Sequence, residues 1–328
     1  MQVGWVYGSC TEDVLTGLKV HALGWGSVFC TPDPAAFLGC APTGGPATLS
    51  QLRRWVTGLL QILVTKNGPL PATIHKNLSF RQCMAYVWVS IWALRSIPEL
   101  CYATLPAFSI FTNTTFLPKG RDLVAVDSNH LDLPASDPWM ICFATIFILH
   151  NLHGLAEYLK CNLSIRNWWN NQRMSKITSA TACLFGVLSV LLKLLGISDT
   201  IFEVTRKDQS GAGSTDHADA DLGRFTFDSS PIFVPPTALV LVHMVALFVG
   251  MLGLLRLPPL SSSSSSSSMI FGSSPGLGEM FCSTWVLLCF LPFLKGLVGR
   301  RSYGIPWATL LKAGALVFLF LHFSYKHR

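Results

Sequence analysis

The sequence predicts a mainly α-helical membrane protein, and three observations carry that prediction. Half of the 328 residues are apolar, only 12% are charged, and the mean hydropathy is +0.45. Several stretches of about 18 or more residues lack charge, which is the length that a helix needs to cross a hydrocarbon core. The 24 basic residues are spread between these stretches, so they do not form a basic patch for nucleic acid. A single soluble globule is excluded, and no nucleic-acid partner is expected.

Residues 1–70 differ from the rest of the chain, because they mix glycine, proline, charge and isolated tryptophans and contain no apolar run of membrane length. We expect them to be the end of a soluble domain, since this length is roughly half the usual domain size.

Residues 79–96 are predicted to form a helix at the membrane interface. The apolar part, 82–94, has only 13 residues between Arg81 and Arg95, which is too short for a crossing.

Residues 98–157 are predicted to hold two transmembrane helices. Their uncharged stretches, 100–117 and 138–156, are 18 and 19 residues long. Both lengths fit a helix that spans the bilayer.

Residues 168–230 are predicted to hold an interfacial helix followed by a loop. The apolar stretch 177–192 has 16 residues, an ambiguous length for a crossing. Trp168 and Trp169 precede it and are typical anchors at the interface.

Residues 231–325 are predicted to hold three transmembrane helices, at 232–255, about 277–298 and 305–325. The serine-rich linker 261–268 lies between the first two, and it cannot bury a core. The sequence thus predicts about five transmembrane helices.

Thr11, Glu12 and Asp13 form the first motif that carries chemistry. A pair of carboxylates after the glycine-containing turn at residues 4–9 fits a general base. A threonine followed by two acids is also how a helix begins, so in isolation we favour a helix N-cap.

Gln51, Arg54 and Trp55 form the second motif, in the run QLRRW. On a helix, Gln51 and Arg54 share one face at a spacing of i and i+3. Arginine grips a diphosphate through two parallel hydrogen bonds, and a tryptophan face supports a sugar ring. The alternative is a basic and aromatic anchor beside the membrane.

The third motif, FEVTRK at residues 202–207, lies in a polar stretch between apolar segments, and its alternative is a solvated loop. An Asp-x-Asp pattern follows at residues 219–221. We do not expect it to hold a metal, because magnesium at a nucleotide also needs an ordered strand end.

Together and in this order, the three motifs resemble the plant cellulose synthase and cellulose synthase-like family of processive family-two glycosyltransferases. The resemblance runs through GWVYGSCTEDVLTGLKVHALGW, QLRRW, SIPELCYATLP, NWWNNQ, FEVTRK and FLPFLKGLVG, so it covers essentially the whole chain. The run LSFRQCMAYVWVSIWALRS looks most similar to the H and B types of cellulose synthase-like proteins. The resemblance implies the C-terminal half of such a protein, with residues 1–70 as the remnant of a GT-A glycosyltransferase domain.

The resemblance also implies a role for each motif. Asp13 would be the general base that deprotonates the acceptor hydroxyl, with Thr11 and Glu12 shaping its site. Gln51 and Arg54 would bind the UDP diphosphate, and Trp55 would stack the acceptor sugar. The third motif would be a gating loop, whose nucleotide-closing residues are Phe202, Val204, Thr205 and Lys207.

The activity implied by the resemblance is processive transfer of glucose from UDP-glucose to a growing β-glucan, which is threaded through the membrane during plant cell-wall synthesis. A hemicellulose is favoured over cellulose, with mixed-linkage glucan as the product that the H type implies. The expected partners are UDP-glucose, the β-glucan acceptor, the lipid bilayer, and other synthases in a homo- or hetero-oligomer. The Golgi membrane is the expected location, with the plasma membrane as the alternative.

The family's uridine-binding aspartate and its DxD ligands for a divalent cation, Mg or Mn, would lie upstream of Met1. We therefore expect the metal ligands of the intact family enzyme to lie outside this chain. The alternative function is that of a truncated, non-catalytic channel-like or interaction protein that lacks the donor and metal site.

Membrane topology constrains the family interpretation. If the first two motifs face the cytosol, where UDP-sugars are made, residues 202–207 must face it too. This requires the stretch 177–192 not to cross, which is why we assign it to the interface.

Three histidines, His150, His153 and His243, lie in apolar segments. They fit either a polar path for a glucan or hydrogen bonds to a neighbouring helix, and we favour the second.

Overall fold

The computed structural model describes residues 4–7, 9–34, 36–37, 45–66, 68–75, 77–116, 138–197, 225–255 and 277–327. These residues are mostly helical and contain no strand, which confirms the predicted mainly α class. The remnant of a GT-A domain in residues 1–70 stays a prediction. The helices of the described ranges are α1 (Glu12–Ala22), α2 (Gly45–Val64), α3 (Pro69–His75), α4 (Phe80–Ser90), α5 (Ser96–Thr112), α6 (Pro138–Lys160), α7 (Ile165–Thr178), α8 (Leu184–Leu194), α9 (Val234–Leu255), α10 (Leu277–Cys289), α11 (Leu291–Val298) and α12 (Trp307–Lys326).

The described residues fall into two compact units. Unit 1 takes its residues from 1–100, 178–235 and 295–309, and it contains the first two motifs. Unit 2 takes its residues from 101–177, 236–294 and 310–328, and it contains most of the apolar helices.

Helix α1 of unit 1 begins after Thr11 and has Glu12 and Asp13 in its first turn. These two acids, and a lysine and a histidine in the last turn, interact favourably with the helix dipole. The chain leaves the helix at Gly24, whose φ of +88° lies in the left-handed region that favours glycine. Thr11 occupies the N-cap position as expected, but its side chain makes no capping hydrogen bond.

Helix α2 is the centre of unit 1, because it lies in two buried apolar clusters. On one side Ile62 packs with residues of α1, α3 and α4. On another side Val56 and Leu60 pack with residues of α8, of the π-helical turn before α8 and of the short 3-10 helix Ile91–Arg95 that follows α4. The buried members of the first cluster are Leu18, Ala22, Ile62, Ala72, Leu78 and Cys83, and those of the second are Val56, Leu60, Ala93, Cys183, Val187 and Val190.

Helix α4 has one buried and one exposed apolar face. It begins with a capping box between Ser79 and Gln82. Cys83 is buried in the first cluster, whereas Phe80 and Trp88 are 69% and 77% exposed. Exposed apolar side chains along one face suit a helix that lies at a membrane surface, and that location stays a prediction.

Helices α7 and α8 join through a π-helical turn, Ser179–Cys183. The result is a 30-residue helix, Ile165–Leu194, that is long and apolar enough to cross a membrane. The stretch 177–192, which the sequence assigns to the interface, forms its second half. Whether that half lies at the interface stays a prediction.

Length and composition single out two further candidate spans among the described residues, Pro231–Gly253 and Arg301–Lys326. A fourth would be the pair Gly278–Cys289 and Leu291–Val298, which is bent by 73°. The stretch 100–117 is helical only as far as Thr112, where α5 ends, and 138–156 is helical as part of α6, but neither helix belongs to this set. The predicted total of five spans is therefore not confirmed.

The predicted intramembrane histidines have different surroundings in unit 2. His243 of α9 is fully buried, with Nε2 2.7 Å from the Ala103 carbonyl and Nδ1 3.2 Å from the Ser283 hydroxyl. His150 is exposed, and His153 is exposed beside Glu157, at 3.3 Å. The favoured interpretation, hydrogen bonding to neighbouring helices, is confirmed for His243.

Candidate functional site

The first motif packs directly on the helix that carries the second. Thr11 is 4% exposed and lies against Gly58 of α2. A β-carbon on Gly58 would sit 2.6 Å from the Thr11 hydroxyl oxygen and 2.8 Å from its backbone nitrogen, closer than real β-carbons approach other atoms. Glycine at position 58 therefore allows α1 and α2 to meet.

Ser9 adds hydrogen bonds to this contact. Its hydroxyl accepts from the Thr11 backbone N–H at 3.2 Å and donates to the Gly58 carbonyl at 3.4 Å. It also lies 3.3 Å from the Thr11 hydroxyl. The turn before α1 is thus fixed to α2 by side-chain and backbone atoms.

The two carboxylates of the first motif are placed differently. Glu12 is half-buried, and its carbonyl accepts a hydrogen bond from the Thr16 hydroxyl at 2.7 Å. Asp13 is exposed on the first turn of α1. An exposed carboxylate on a fixed turn is able to meet the hydroxyl of an incoming molecule.

The second motif lies on the first half of α2. Gln51 and Arg54 are half-buried and one helical turn apart, as the sequence predicts. Trp55 is 43% exposed, so part of its ring is open to another molecule. Just beyond, Thr57 donates its hydroxyl to the Arg53 carbonyl at 2.7 Å.

Charged side chains of three helices act on the turn before α1. Burial raises the pKa of the Cys10 thiol, while the positive charges of Arg54 in α2 and Lys193 in α8 lower it and the charge of Glu12 in α1 raises it. The Arg54 charge of the second motif is therefore felt at the residue that precedes the first motif.

Helix α8 reaches this position because it packs closely on α2. A β-carbon on Gly186 would lie 2.5 Å from Cγ2 of Val56 and 3.5 Å from the backbone nitrogen of Thr57. Val187 and Val190 continue the buried contact toward the end of α8. Gly58 and Gly186 are thus the glycines at which α2 meets the start of α1 and α8 most closely.

Phe225, also in unit 1, lies beside the beginning of α2. The Phe225 ring lies 3.2 Å from the position of a β-carbon on Gly45. Its neighbour Phe227 donates its backbone N–H to the Ser302 carbonyl at 2.8 Å. The third motif, with Phe202, Val204, Thr205 and Lys207, lies outside the described residues, as do the Asp-x-Asp pattern and the serine-rich linker.

Comparison with known proteins identifies the family. The cellulose synthase family model matches residues 1–324. The chain belongs to the cellulose synthase family. It is 46% identical to cellulose synthase-like protein H2 of Oryza sativa subsp. indica and 44% identical to cellulose synthase-like protein H1 of Oryza sativa subsp. japonica, each over 98% of the chain. It is 40% identical to cellulose synthase-like protein B4 of Arabidopsis thaliana, also over 98% of the chain.

The chain spans about two fifths of the length of these relatives, 39% of the H2 protein and 40% of the other two. The resemblance to the H and B types of the cellulose synthase family is confirmed. The activities of the whole relatives are carried to this chain only as proposals.

A divalent cation, which the family resemblance implies, does not fit the described part of this family member. No group of three or more His, Cys, Asp and Glu side chains converges within the described ranges. The site contributes one exposed carboxylate, Asp13, and no paired donor set.

Lys193 lies outside the three sequence motifs, and nothing in its local sequence marks it. The spacing from Gly186, seven residues or about two helical turns, was the available signal, since residues at that spacing share a face.

Proposed function

We propose that this chain carries part of the reaction centre of a membrane-embedded processive β-glycosyltransferase in plant cell-wall polysaccharide synthesis. The reaction is transfer of glucose from UDP-glucose to the end of a growing β-glucan. A hemicellulose is the proposed product, with mixed-linkage glucan suggested by the likeness to H-type proteins. The contact of Thr11 with Gly58 carries the proposal, because it places an exposed carboxylate beside the helix that bears Arg54 and Trp55.

Asp13 acts as the general base. The acceptor hydroxyl loses its proton to the Asp13 carboxylate as its oxygen attacks the anomeric carbon. The bond from that carbon to the UDP oxygen breaks, and UDP leaves with the electron pair, so the configuration inverts. Thr11 and Glu12 hold the turn, which is a positioning role that their burial supports.

Gln51 and Arg54 hold the diphosphate that becomes the leaving group. The planar guanidinium of arginine suits two phosphate oxygens at once. Trp55 offers its exposed ring face to the acceptor sugar. Donor and acceptor would then meet along one helix, α2, next to the base.

The remaining parts of the proposal rest on the family resemblance. Phe202, Val204, Thr205 and Lys207 are proposed to close over the nucleotide. A Golgi membrane location, association with other synthases, and a divalent cation held by ligands beyond this chain are proposed on the same basis. The interfacial position of α8 is supported by its packing on α2, which carries the second motif.

The test is polymer synthesis from radiolabelled UDP-glucose by the protein in its native membranes, together with the mass of its native polypeptide. Asp13→Asn should abolish polymer synthesis but leave UDP binding intact. The variant loses the general base and keeps the residues that bind the diphosphate. The matched control is Asp33→Asn, which changes an exposed aspartate outside the site. Normal synthesis by Asp13→Asn would overturn the base assignment. A wild-type protein that neither binds UDP nor makes polymer would support the non-catalytic alternative.

A further inference from the structure

One face of α8 continues past its contact with α2. Gly186, Val187 and Val190 pack on the helix that bears the second motif. Lys193 lies seven residues after Gly186, and seven residues are close to two full turns. It therefore stands on the same face as Gly186, on the last turn of α8.

The surroundings of Lys193 agree with this placement. Its charge acts on the Cys10 thiol together with that of Arg54, so both cations lie near the turn before α1. The acid that acts on the same thiol is Glu12 of α1. Cations of two different helices, α2 and α8, thus act on the turn that precedes Asp13, the residue that we assign as the base.

A simpler explanation is that Lys193 serves the dipole of its own helix. Cations in a last turn are favourable for that reason, and Lys295 in the last turn of α11 is a second example in unit 1. Lys193 differs because it extends the packed face of α8 and acts on the turn that carries Cys10. Helix stabilisation alone requires neither feature.

A diphosphate carries more negative charge than one arginine neutralises. Arginine supplies a flat pair of donors, whereas lysine supplies a compact charge on a flexible stem that reaches a single oxygen. The Lys193 side chain is exposed, so a ligand can approach it from solvent. Arg54 of α2 and Lys193 of α8 would then both bind the diphosphate.

We propose that Lys193 is a second cation for the diphosphate group of the nucleotide-sugar donor, acting with Arg54. This inference rests on the proposed function, and it adds a residue from outside the three sequence motifs. It also assigns a role to the close packing at Gly186, which sets the position of Lys193 relative to α2.

The test is equilibrium binding of UDP, of inorganic pyrophosphate and of uridine to the detergent-solubilised full protein. Lys193→Gln should weaken binding of UDP and pyrophosphate about tenfold, as expected for one charge-assisted contact. Lys193→Arg should stay close to wild type, and uridine binding should not change in any variant. Lys295→Gln is the matched control, because it removes the same charge from the last turn of another helix in the unit. In the polymer assay, Lys193→Gln should raise KM for the donor more than it lowers kcat.

The outcomes separate the two proposals. If the wild-type protein binds UDP and Lys193→Gln binds it equally well, the role of Lys193 is overturned and the proposed function stands. A lower melting temperature with unchanged UDP affinity overturns it too, since that is the result of a helix-dipole role. Equal losses in Lys193→Gln and Lys295→Gln overturn it as a general charge effect. A wild-type protein that binds neither UDP nor pyrophosphate overturns both proposals.

Discussion

Gly58 lies so close to Thr11 that a β-carbon on the glycine would stand 2.8 Å from the threonine backbone nitrogen. The threonine nitrogen belongs to the backbone, so a change of side-chain rotamer cannot relieve the overlap. We expect Gly58→Ala to push the turn before α1 away from α2 and to cost about 1–3 kcal/mol of unfolding free energy, as other overpacked sites do. Polymer synthesis should fall more than UDP binding, because the base moves while Arg54 stays.

Gly314→Ala is the control for this prediction. Gly314 lies within α12, and nothing stands within 4 Å of the position of a β-carbon there. Alanine at that position should be neutral or stabilising by up to about 1 kcal/mol. Denaturant unfolding in detergent and the polymer assay measure both variants. A Gly58→Ala protein as stable and active as wild type would contradict the tight contact.

Gly186 and Val56 allow a test by compensation. A β-carbon at 186 would meet the Val56 methyl group Cγ2 at 2.5 Å, so Gly186→Ala should destabilise unit 1 by about 1–3 kcal/mol. Val56→Ala removes that methyl group and creates space. The double variant should therefore be less destabilised than the sum of the two single variants, with a coupling of about 0.5–3 kcal/mol. Additive losses in denaturant unfolding would mean that the two residues do not meet.

The sequence predicts the helical class and the family, whereas the roles of Asp13, Gln51, Arg54 and Trp55 stay predictions. The structure adds that Thr11, just before α1, packs on α2, which carries the second motif. Uncharged length favours 100–117 over 177–192 as a crossing, but among the described residues only the second stretch belongs to a helix with the length and composition of a span. The π-helical turn at Ser179–Cys183 carries α7 into α8 without a break, and periodicity does not signal it.

Contacts between distant segments were not predictable from one sequence. Gly58 and Gly186 are ordinary helix glycines by pattern, and only the structure shows what each would touch. The position of Lys193 could not be predicted for the same reason. A lysine at a helix end looks like a dipole partner or a positive-inside residue, and its position beside Cys10 depends on how α8 packs on α2.

Cys10 reports on the charges around the site. Burial raises the pKa of its thiol, so less thiolate is present near pH 8 than in an ordinary cysteine, and alkylation by iodoacetamide should be slow. Lys193→Gln removes a charge that lowers this pKa. The pH midpoint of alkylation should therefore move further up in that variant.

Peptide mass spectrometry follows Cys10 alkylation against pH, with the exposed Cys30 as an internal reference for the reagent. Lys295→Gln should leave the Cys10 curve unchanged, because Lys295 is not among the charges that act on Cys10. A downward shift, or no shift, in Lys193→Gln would show that the ammonium group does not face this turn.

His21 and Tyr86 join the other end of α1 to α4. The His21 Nδ1 atom lies 2.7 Å from the Tyr86 hydroxyl, and its Nε2 atom lies 3.0 Å from the Ser27 hydroxyl. Tyr86→Phe should cost about 1 kcal/mol of unfolding free energy, the usual worth of a part-buried hydrogen bond. Tyr102→Phe, at a residue that is 74% exposed, should cost little. Equal denaturation midpoints for the two variants would argue against a stabilising bond at His21.

His243 ties three helices of unit 2 together through its two ring nitrogens. The Ala103 carbonyl only accepts hydrogen bonds, so Nε2 carries the proton and donates to it at 2.7 Å. Nδ1 is then the acceptor for the Ser283 hydroxyl at 3.2 Å. His243→Leu leaves both partners without their bonds, so we expect a loss of about 1–3 kcal/mol in unfolding free energy. Ser283→Ala removes one bond and should cost less, and His150→Leu, at an exposed histidine, should cost least. Thermal unfolding in detergent ranks the three variants. If His243→Leu and His150→Leu have the same melting temperature, the buried imidazole does not hold α5, α9 and α10 together.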